Sequence, residues 1–123
     1  DIPALMFHFP RWKFRDTRHI RTVAIDPADD APLDETYDAI FCMTVFEHLP
    51  SPLPVAQHLH DRLRPDGILV FDYILSEGAG LDTASARDAR GAVLDYIAAH
   101  FEPVRGTIDP SGARSETVIC RKR

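Results

Sequence analysis

The sequence predicts an α/β protein built on a mostly parallel sheet, and three segments carry that prediction. Residues 37–45 (YDAIFCMTV) and 68–74 (ILVFDYI) are nearly continuous runs of apolar residues, a pattern typical of strands covered on both faces of a parallel sheet. Between them lies a stripe of apolar residues at helical spacings of three and four: Leu53, Ala56, Leu59 and Leu63. A strand, a helix and a second strand in this order indicate a βαβ unit with a right-handed crossover.

The segment before this unit predicts a helix and a further strand. Pro3, with Asp1 as a cap, favours a short helix that kinks or restarts at Pro10, because proline lacks the backbone donor of a helix interior. Residues 20–25 (IRTVAI) are rich in β-branched residues and stop at Asp26 and Pro27, which predicts a short strand entering a loop.

The segment after this unit predicts a helix and two closing strands. Ser85 and Asp88 have the spacing of a capping box ahead of an apolar stripe that reaches Phe101. Residues 104–108 and 117–121 then indicate two strands. The proline and glycine of the intervening turn favour an antiparallel hairpin at the C-terminus.

Composition narrows the functional classes. The chain has 123 residues, enough for one modest core, and its formal charge of −5 argues against a nucleic-acid surface. A basic cluster from Arg11 to Arg21 contains Trp12 and Phe14; a solvated helix face with a packed aromatic is favoured over a stacking surface. We therefore expect no nucleic-acid partner.

The sequence also bears on location. No apolar stretch approaches the length of a membrane span, and we expect no membrane partner. Cys42 and Cys120 lie inside apolar runs, which favours a reduced, cytoplasmic compartment over a disulfide framework. Because the first residue is Asp1 rather than Met, we expect that a segment upstream has been removed or was not supplied.

Residues 37–74 carry the features of a known family. Tyr37-Asp38, Glu47-His48-Leu49, Leu63-Arg64-Pro65 and Gly67 stand at the spacing found from the fourth to the fifth strand of class I S-adenosylmethionine-dependent methyltransferases. The segment resembles that family, and a generic βαβ unit of another α/β enzyme is the alternative. The resemblance implies a Rossmann-like sheet with strand order 3-2-1-4-5-7-6, S-adenosylmethionine as cofactor, and methyl transfer to a small-molecule acceptor.

The resemblance is incomplete at its start. The family has a glycine-rich turn between its first strand and first helix, whereas the earliest glycine here is Gly67. We therefore interpret residues 1–123 as a single partial methyltransferase domain that lacks the first two strands. Either upstream sequence supplies those strands, or residues 20–25 pair directly with residues 37–45, since an unpaired apolar edge invites aggregation.

The resemblance implies cofactor contacts at three places. Asp26, followed by Pro27, stands where the family has an acidic residue that holds the adenine; a turn-starting aspartate is the alternative. Asp1, with Ile2, falls where an acidic residue binds the ribose hydroxyls, although Asp1 also fits a helix cap. Cys42 and Met43 would line the cofactor pocket, unless they are strand core, which is favoured.

Glu47 and His48 would lie close to the transferred methyl group. An imidazole titrates near neutral pH, so His48 is a candidate general base that Glu47 would orient. The alternative, slightly favoured, is that the two side chains cap the next helix and hold the loop. Asp72 and Tyr73 end a strand on the same side and are candidates for substrate contact, although a packed tyrosine is the more frequent outcome.

A metal site is not expected. The stretch resembles quinone-biosynthetic O-methyltransferases, in which acidic residues around the Glu-His pair bind a divalent metal, but Thr44 stands where one carboxylate is expected. His58 and His60 are two residues apart on a predicted helix, which places them on different faces.

The sequence thus supports a methyltransferase as the leading hypothesis. A second hypothesis is a non-catalytic methyltransferase-like module that has lost cofactor binding and acts in interactions, since the glycine turn is missing. A third, weaker one is another nucleotide-binding α/β enzyme. The sequence does not indicate the acceptor atom.

Overall fold

A computed structural model describes residues 5–26, 28–76, 80–111 and 116–123. The chain divides into two compact units, Asp1–Pro32 and Leu33–Arg123. None of the helices in the described ranges has the length and apolar character needed to cross a bilayer.

In the first unit the described residues form the helix α1 (Leu5–Lys13), which includes Pro10. The Phe14 N–H donates to the Pro10 carbonyl over 2.9 Å, so a further turn follows the proline. The helix predicted around Pro10 is therefore present, while its expected cap at Asp1 and Pro3 lies outside the described residues. The strand predicted at residues 20–25 is wrong, since this segment forms no strand. A strand needs a hydrogen-bonded neighbour, and none of the described strands pairs with this segment.

The second unit holds the other elements. They are β1 (Tyr37–Cys42), a 3-10 turn (Phe46–His48), α2 (Pro52–Arg62), β2 (Leu63–Phe71), α3 (Ala84–His100), β3 (Phe101–Arg105) and β4 (Val118–Lys122). The strand–helix–strand order predicted for residues 37–74 is confirmed. Both β2 and β3 begin directly after the preceding helix, and β2 ends at Phe71, before the predicted end at residue 74.

The described strands form one sheet with the order β1-β2-β4-β3. β1 and β2 are parallel, and β4 is antiparallel to both of its neighbours. Three strands therefore run in one direction and β4 runs in the other. This arrangement confirms the mostly parallel sheet with a C-terminal antiparallel pair, and it corresponds to the last four positions of the strand order that the resemblance implies.

The prediction that residues 37–45 are covered on both faces is wrong for β1. This strand lies at the edge of the described sheet, and its Phe41 side chain is 73% exposed. By contrast, Leu69 and Phe71 of the neighbouring β2 are almost fully buried. Apolar composition alone does not distinguish an edge strand from a central one, because the difference depends on what the rest of the protein places beside it.

The core lies between α2, α3 and one face of the sheet. Alternate residues of β2 and β4 point into it, among them Leu69, Phe71 and Cys120, as expected for strands with one covered face. The helix residues that fill it include Leu59, Val93 and Ile97. This packing fixes the strand ends, from which the candidate site extends.

Two turns depend on local backbone geometry. Arg64-Pro65-Asp66-Gly67 interrupts the β1–β2 pairing, which passes from Tyr37–Leu63 to Ala39–Ile68, so the predicted turn is present as a bulge inside β2. A Cβ on Gly67 would lie 2.8 Å from the Arg64 carbonyl oxygen. α3 is capped by Thr83, whose hydroxyl oxygen accepts the Ala86 N–H over 3.0 Å. The predicted cap at Ser85 is therefore wrong by two residues, since Ser85 already lies inside the helix.

Candidate functional site

The candidate site lies where β1 and β2 end together. The two strands are parallel, and Cys42 is paired with Phe71 at their last positions. Met43 to Val45 and Asp72 to Tyr73 therefore leave the sheet from the same edge. Ligands of open α/β sheets bind at the carboxyl ends of the strands, so this edge is the place to look for chemistry.

Asp72 connects the two strand ends. Its side chain is buried, with 4% of the residue exposed, and its Oδ1 accepts the Thr44 N–H over 2.7 Å. Thr44 has a φ of 54°, the left-handed conformation that β-branched residues rarely adopt. A short, charge-assisted bond to the backbone offsets part of that conformational cost. Asp72 therefore fixes the turn that carries the chain from β1 toward Glu47.

Glu47 is the most unusual polar group in this region. The residue is 3% exposed, and its Oε2 has no hydrogen-bond partner among the described residues. Burial raises the pKa of Glu47, and the nearby Asp72 and Asp82 carboxylates act in the same direction, whereas its own backbone N–H and His48 act against them. A buried carboxylate oxygen without a partner is costly, and such groups concentrate where a protein binds a ligand or moves a proton.

His48 lies beside this carboxylate. Its Nδ1 is 3.2 Å from the Leu81 carbonyl oxygen, and its Nε2 is 4.0 Å from Glu47 Oε1. Because a carbonyl oxygen only accepts, Nδ1 of the neutral ring carries the proton and Nε2 keeps the lone pair. The 3-10 turn thus presents a carboxylate and a basic ring nitrogen close together.

The segment before α3 holds the 3-10 turn in place. The Thr83 N–H donates to the Glu47 carbonyl over 3.0 Å, and the Thr83 hydroxyl donates to the Leu49 carbonyl over 2.8 Å. Thr83 therefore holds the loop through the backbone carbonyls of Glu47 and Leu49. The cap position of α2 is Ser51, whose side chain makes no capping hydrogen bond.

Asp82 is a further carboxylate near the turn, and its environment is the reverse of that of Glu47. Burial acts to raise the pKa of Asp82, but hydrogen bonds from the Ser76 backbone and hydroxyl, together with Arg87, outweigh it, and the pKa is lowered. Asp82 therefore stays charged and ties residues 76 to 87 together. Sequence reasoning missed Asp82 and Thr83, although a threonine just before an apolar helical stripe is a recognisable cap signal.

Behind the turn, Tyr73 is packed rather than exposed. Its ring stacks on Phe46 with the centroids 5.4 Å apart, and its hydroxyl donates to the Ala86 carbonyl. Arg90 Nε donates to the Tyr73 carbonyl over 3.2 Å. Tyr73 is therefore a packed side chain, the outcome expected from the sequence to be more frequent. Its contacts also stabilise the 3-10 turn.

Cys42 and Met43 differ in their surroundings. Burial, with Asp72 and Glu47 nearby, raises the pKa of the Cys42 thiol to about 12, so this cysteine is a protonated core residue and not a nucleophile. Its place in the core cluster agrees with the strand-core interpretation. Met43 is exposed at the strand end, where its side chain is available to a ligand.

The remaining predicted cofactor contacts fall in the first unit. Asp1, Ile2 and Pro27 lie outside the described residues. Asp26 is exposed, and its Oδ1 accepts the Ala28 N–H over 2.9 Å. A hydrogen bond of this kind is typical of an aspartate that starts a turn, which was the alternative considered from the sequence. The bond uses Oδ1 of Asp26 and does not involve Oδ2.

The described ranges contain no group of three or more His, Cys, Asp or Glu side chains arranged to hold a metal ion. His58 and His60 have separate roles. His58 Nε2 accepts the Leu33 N–H over 3.0 Å, whereas His60 packs its ring against Tyr96, His100 and Phe101.

A family comparison matches most of the chain. The model described as "Methyltransferase domain" matches residues 8–107. Among curated proteins, the ubiquinone biosynthesis O-methyltransferase of Actinobacillus pleuropneumoniae serotype 5b is 45% identical over 40 residues, 32% of this chain and 17% of that protein. The tRNA U34 carboxymethyltransferase of Chromohalobacter salexigens is 45% identical over 47 residues, 38% of this chain and 14% of that protein. The similarity thus covers less than a fifth of the length of either relative.

Two solved structures share the fold. The magnesium protoporphyrin IX methyltransferase ChlM of Synechocystis PCC 6803, with bound S-adenosylmethionine, aligns with a TM-score of 0.58 at 18% identity, covering 100% of this chain and 57% of that one. The N-methyltransferase NodS of Bradyrhizobium japonicum WM9, in complex with S-adenosylhomocysteine, gives a TM-score of 0.53 at 14% identity, covering 89% and 59%. These matches confirm a Rossmann-like fold for the chain.

Proposed function

Because the chain belongs to the methyltransferase domain family, we propose that it is part of an enzyme that transfers a methyl group from S-adenosylmethionine to a small-molecule acceptor. The observation that carries the proposal is the buried Glu47 carboxylate at the shared end of β1 and β2, whose Oε2 has no partner within the described ranges. The relatives named for ubiquinone biosynthesis favour a small acceptor. We place the enzyme in the cytoplasm, on the reduced state of Cys42 and Cys120.

The residues at this edge fit part of the cofactor. An exposed Met43 offers a polarisable apolar surface, and the Glu47 Oε2 atom offers an acceptor for a donor that the described residues do not supply. By resemblance, Asp26 with Pro27 would hold the adenine, Asp1 with Ile2 the ribose, and Cys42 the pocket wall. The chain spans 57% of the ChlM chain that it matches, and we propose these residues as only part of the site.

The chemistry asked of the protein is mainly positioning. S-adenosylmethionine supplies an activated methyl group, and the protein must align the acceptor atom and take up its proton. Burial raises the pKa of Glu47, which makes its carboxylate a better proton acceptor than an exposed one. His48 Nε2, 4.0 Å from Glu47 Oε1, is a second basic position on the same turn. Asp72 contributes by fixing the turn through Thr44.

Calorimetric titration of S-adenosylhomocysteine tests this proposal. We expect weak or no binding to the 123-residue chain, because Asp26 and the strand edge are only part of a site. We expect stoichiometric binding to a longer polypeptide that includes the family's glycine-rich turn. In that polypeptide Glu47→Gln should lower methyl transfer, while Glu102→Gln, an exposed control on β3, should leave it unchanged.

The second candidate function is a non-catalytic interaction module. It is favoured by one observation, the absence of any glycine before Gly67 where a cofactor turn would stand. Absence of S-adenosylhomocysteine binding by both polypeptides would favour this candidate over the enzyme. Tight stoichiometric binding to the 123-residue chain alone would contradict both the partial site and the module.

A further inference from the structure

The first unit exposes aromatic side chains that the sequence led us to expect packed. Trp12 is 62% exposed and Phe9 is 55% exposed, with their ring centroids 6.1 Å apart. The expectation of a solvated helix face with a packed aromatic concerned Trp12 and Phe14; Trp12 is exposed, whereas Phe14 is half-buried. Large exposed aromatics grouped together are uncommon on a protein surface without a binding role.

Cationic side chains lie directly over these rings. Lys13 Nζ is 5.7 Å from the Phe9 centroid and 5.4 Å from the Phe14 centroid. The Arg15 guanidinium carbon is 5.3 Å from the Trp12 centroid, and Arg15 Nη1 donates to the Trp12 carbonyl over 3.0 Å. We call Phe9, Trp12, Lys13, Phe14 and Arg15 the basic-aromatic surface. Within it Lys13 and Arg15 contact the rings and remain exposed, and Arg15 Nε also lies 3.3 Å from Asp16 Oδ2.

The local charge is opposite to that of the whole chain. Between His8 and Arg21 there are five Lys or Arg residues and one Asp, whereas the chain as a whole carries −5. All five cationic residues are exposed. The acidic Asp26 and Asp29, later in the same unit, each accept a backbone N–H, from Ala28 and Ala31. The positive charge is therefore concentrated around α1.

We propose that the basic-aromatic surface binds single-stranded nucleic acid. Such a strand presents flat bases that stack on aromatic rings and phosphates that pair with Lys and Arg, so it complements both components of the surface. An anionic membrane complements the charge alone. It would need a continuous apolar helix face to insert, whereas α1 has nine residues, its Phe7 is already buried, and Lys13 lies over the exposed ring of Phe9.

The chain offers a direct reporter, because Trp12 is its only tryptophan. We would titrate the 123-residue protein with an oligouridylate of about ten nucleotides and, separately, with phosphatidylserine vesicles, following Trp12 fluorescence. Stacking of a base quenches the emission without a blue shift, whereas insertion into lipid shifts it to shorter wavelength. We expect quenching by the oligonucleotide and an affinity about tenfold weaker when salt is raised fourfold, as for contacts to a few phosphates.

Matched variants distinguish binding at the basic-aromatic surface from nonspecific attraction to any positive charge on the protein. Replacing Arg11, Lys13 and Arg15 with glutamine should weaken binding by about tenfold, the loss expected for removing several phosphate contacts. The control replaces Arg105, Arg121 and Arg123, which are exposed and remote in sequence, with glutamine, and should change affinity less than about twofold. Circular dichroism would establish that each variant is folded.

Three outcomes would overturn the proposal: no quenching by the oligonucleotide at low salt, equal losses in the two triple variants, or a blue shift with vesicles in the absence of an oligonucleotide response. None of these outcomes bears on Glu47 or on S-adenosylhomocysteine binding, so failure here is distinguishable from failure of the proposed methyl transfer.

Discussion

At one end of the sheet, Lys122 Nζ donates to the carbonyls of His60 and Leu63 over 2.7 and 2.9 Å, and His100 Nδ1 lies 2.8 Å from the Tyr96 carbonyl. At the opposite end, where β1 and β2 finish, the Glu47 residue is only 3% exposed, yet its Oε2 has no partner among the described residues. Lys122 is half-buried and His100 is exposed, and both are paired, whereas the more deeply buried Glu47 carboxylate has an unsatisfied oxygen.

The difference distinguishes paired polar groups, which stabilise the fold, from a buried unpaired group that can serve a ligand or a proton. Paired polar groups stabilise a fold by closing helix ends, as Lys122 does for α2, whereas an unpaired buried carboxylate costs stability and persists where a ligand or a proton uses it. The other buried unpaired atom in the described ranges, Arg62 Nε, belongs to a half-buried guanidinium that has further donors. The comparison therefore rests on Glu47.

The largest effect is expected at Asp72. Asp72→Ala removes the acceptor of the Thr44 N–H while Thr44 remains in a left-handed conformation, and should lower the free energy of unfolding by about 2 kcal/mol. In a Thr44→Gly background the same change should cost about 1 kcal/mol less, because glycine adopts positive φ without strain. Urea denaturation of the four proteins in this cycle measures the coupling, and equal costs in both backgrounds would refute the role given to Asp72.

At the paired end, Lys122→Met keeps the aliphatic stem but removes both bonds to the carbonyls of His60 and Leu63. We expect a loss of about 1.5 kcal/mol in the free energy of unfolding, with no change in S-adenosylhomocysteine binding by the longer polypeptide. A loss of binding without a loss of stability would reverse the assignment of the two ends.

Glu47→Gln should have the opposite sign. Because burial raises the pKa of Glu47 in the folded protein, its stability contribution is fully present below the unfolded carboxyl pKa and is lost as pH rises through the folded value. The glutamine variant should therefore be more stable than the parent at neutral pH, by about 1 kcal/mol, and the difference should vanish in acid. A variant that is less stable at neutral pH would show that Glu47 is structurally paired.

The smallest effect concerns His60. Burial, followed by the charge of Lys122, holds the pKa of His60 below its ordinary range. For a lowered histidine pKa, the stability present above the unfolded value is lost as pH falls through the folded one. Relative to His60→Gln, the parent should lose stability as pH drops below the ordinary imidazole range. Thermal unfolding at several pH values measures this, and parallel pH profiles would contradict it.

The sequence predicted the elements better than their surroundings. The apolar runs and helical stripes located β1, α2, β2, α3 and the closing strands, because these patterns are set by local periodicity. The exposure of Phe41 was not predictable, since it depends on what lies beside β1. The strand prediction for residues 20–25 was wrong for the same reason, since a strand depends on the segment that lies beside it.

The site was predictable in part. Family spacing pointed to the segment that contains Glu47 and His48, and the structure adds the contacts that give each residue its character. The bond from Thr44 to Asp72 joins positions 28 residues apart, and no local pattern reveals it. The exposure of Trp12 likewise depends on tertiary packing, which composition does not record.

The most direct test of the central claim is an amide NMR titration of the 123-residue chain and the longer polypeptide with S-adenosylhomocysteine at millimolar concentration, where weak binding is visible. We expect the resonances of Met43, Thr44, Glu47 and Asp72 to shift, slightly in the 123-residue chain and strongly in the longer polypeptide. The resonances of His60, His100 and Lys122 should stay in place in both. Shifts at the His60 end, or none in either polypeptide, would contradict the assignment of the Glu47 edge as the cofactor site.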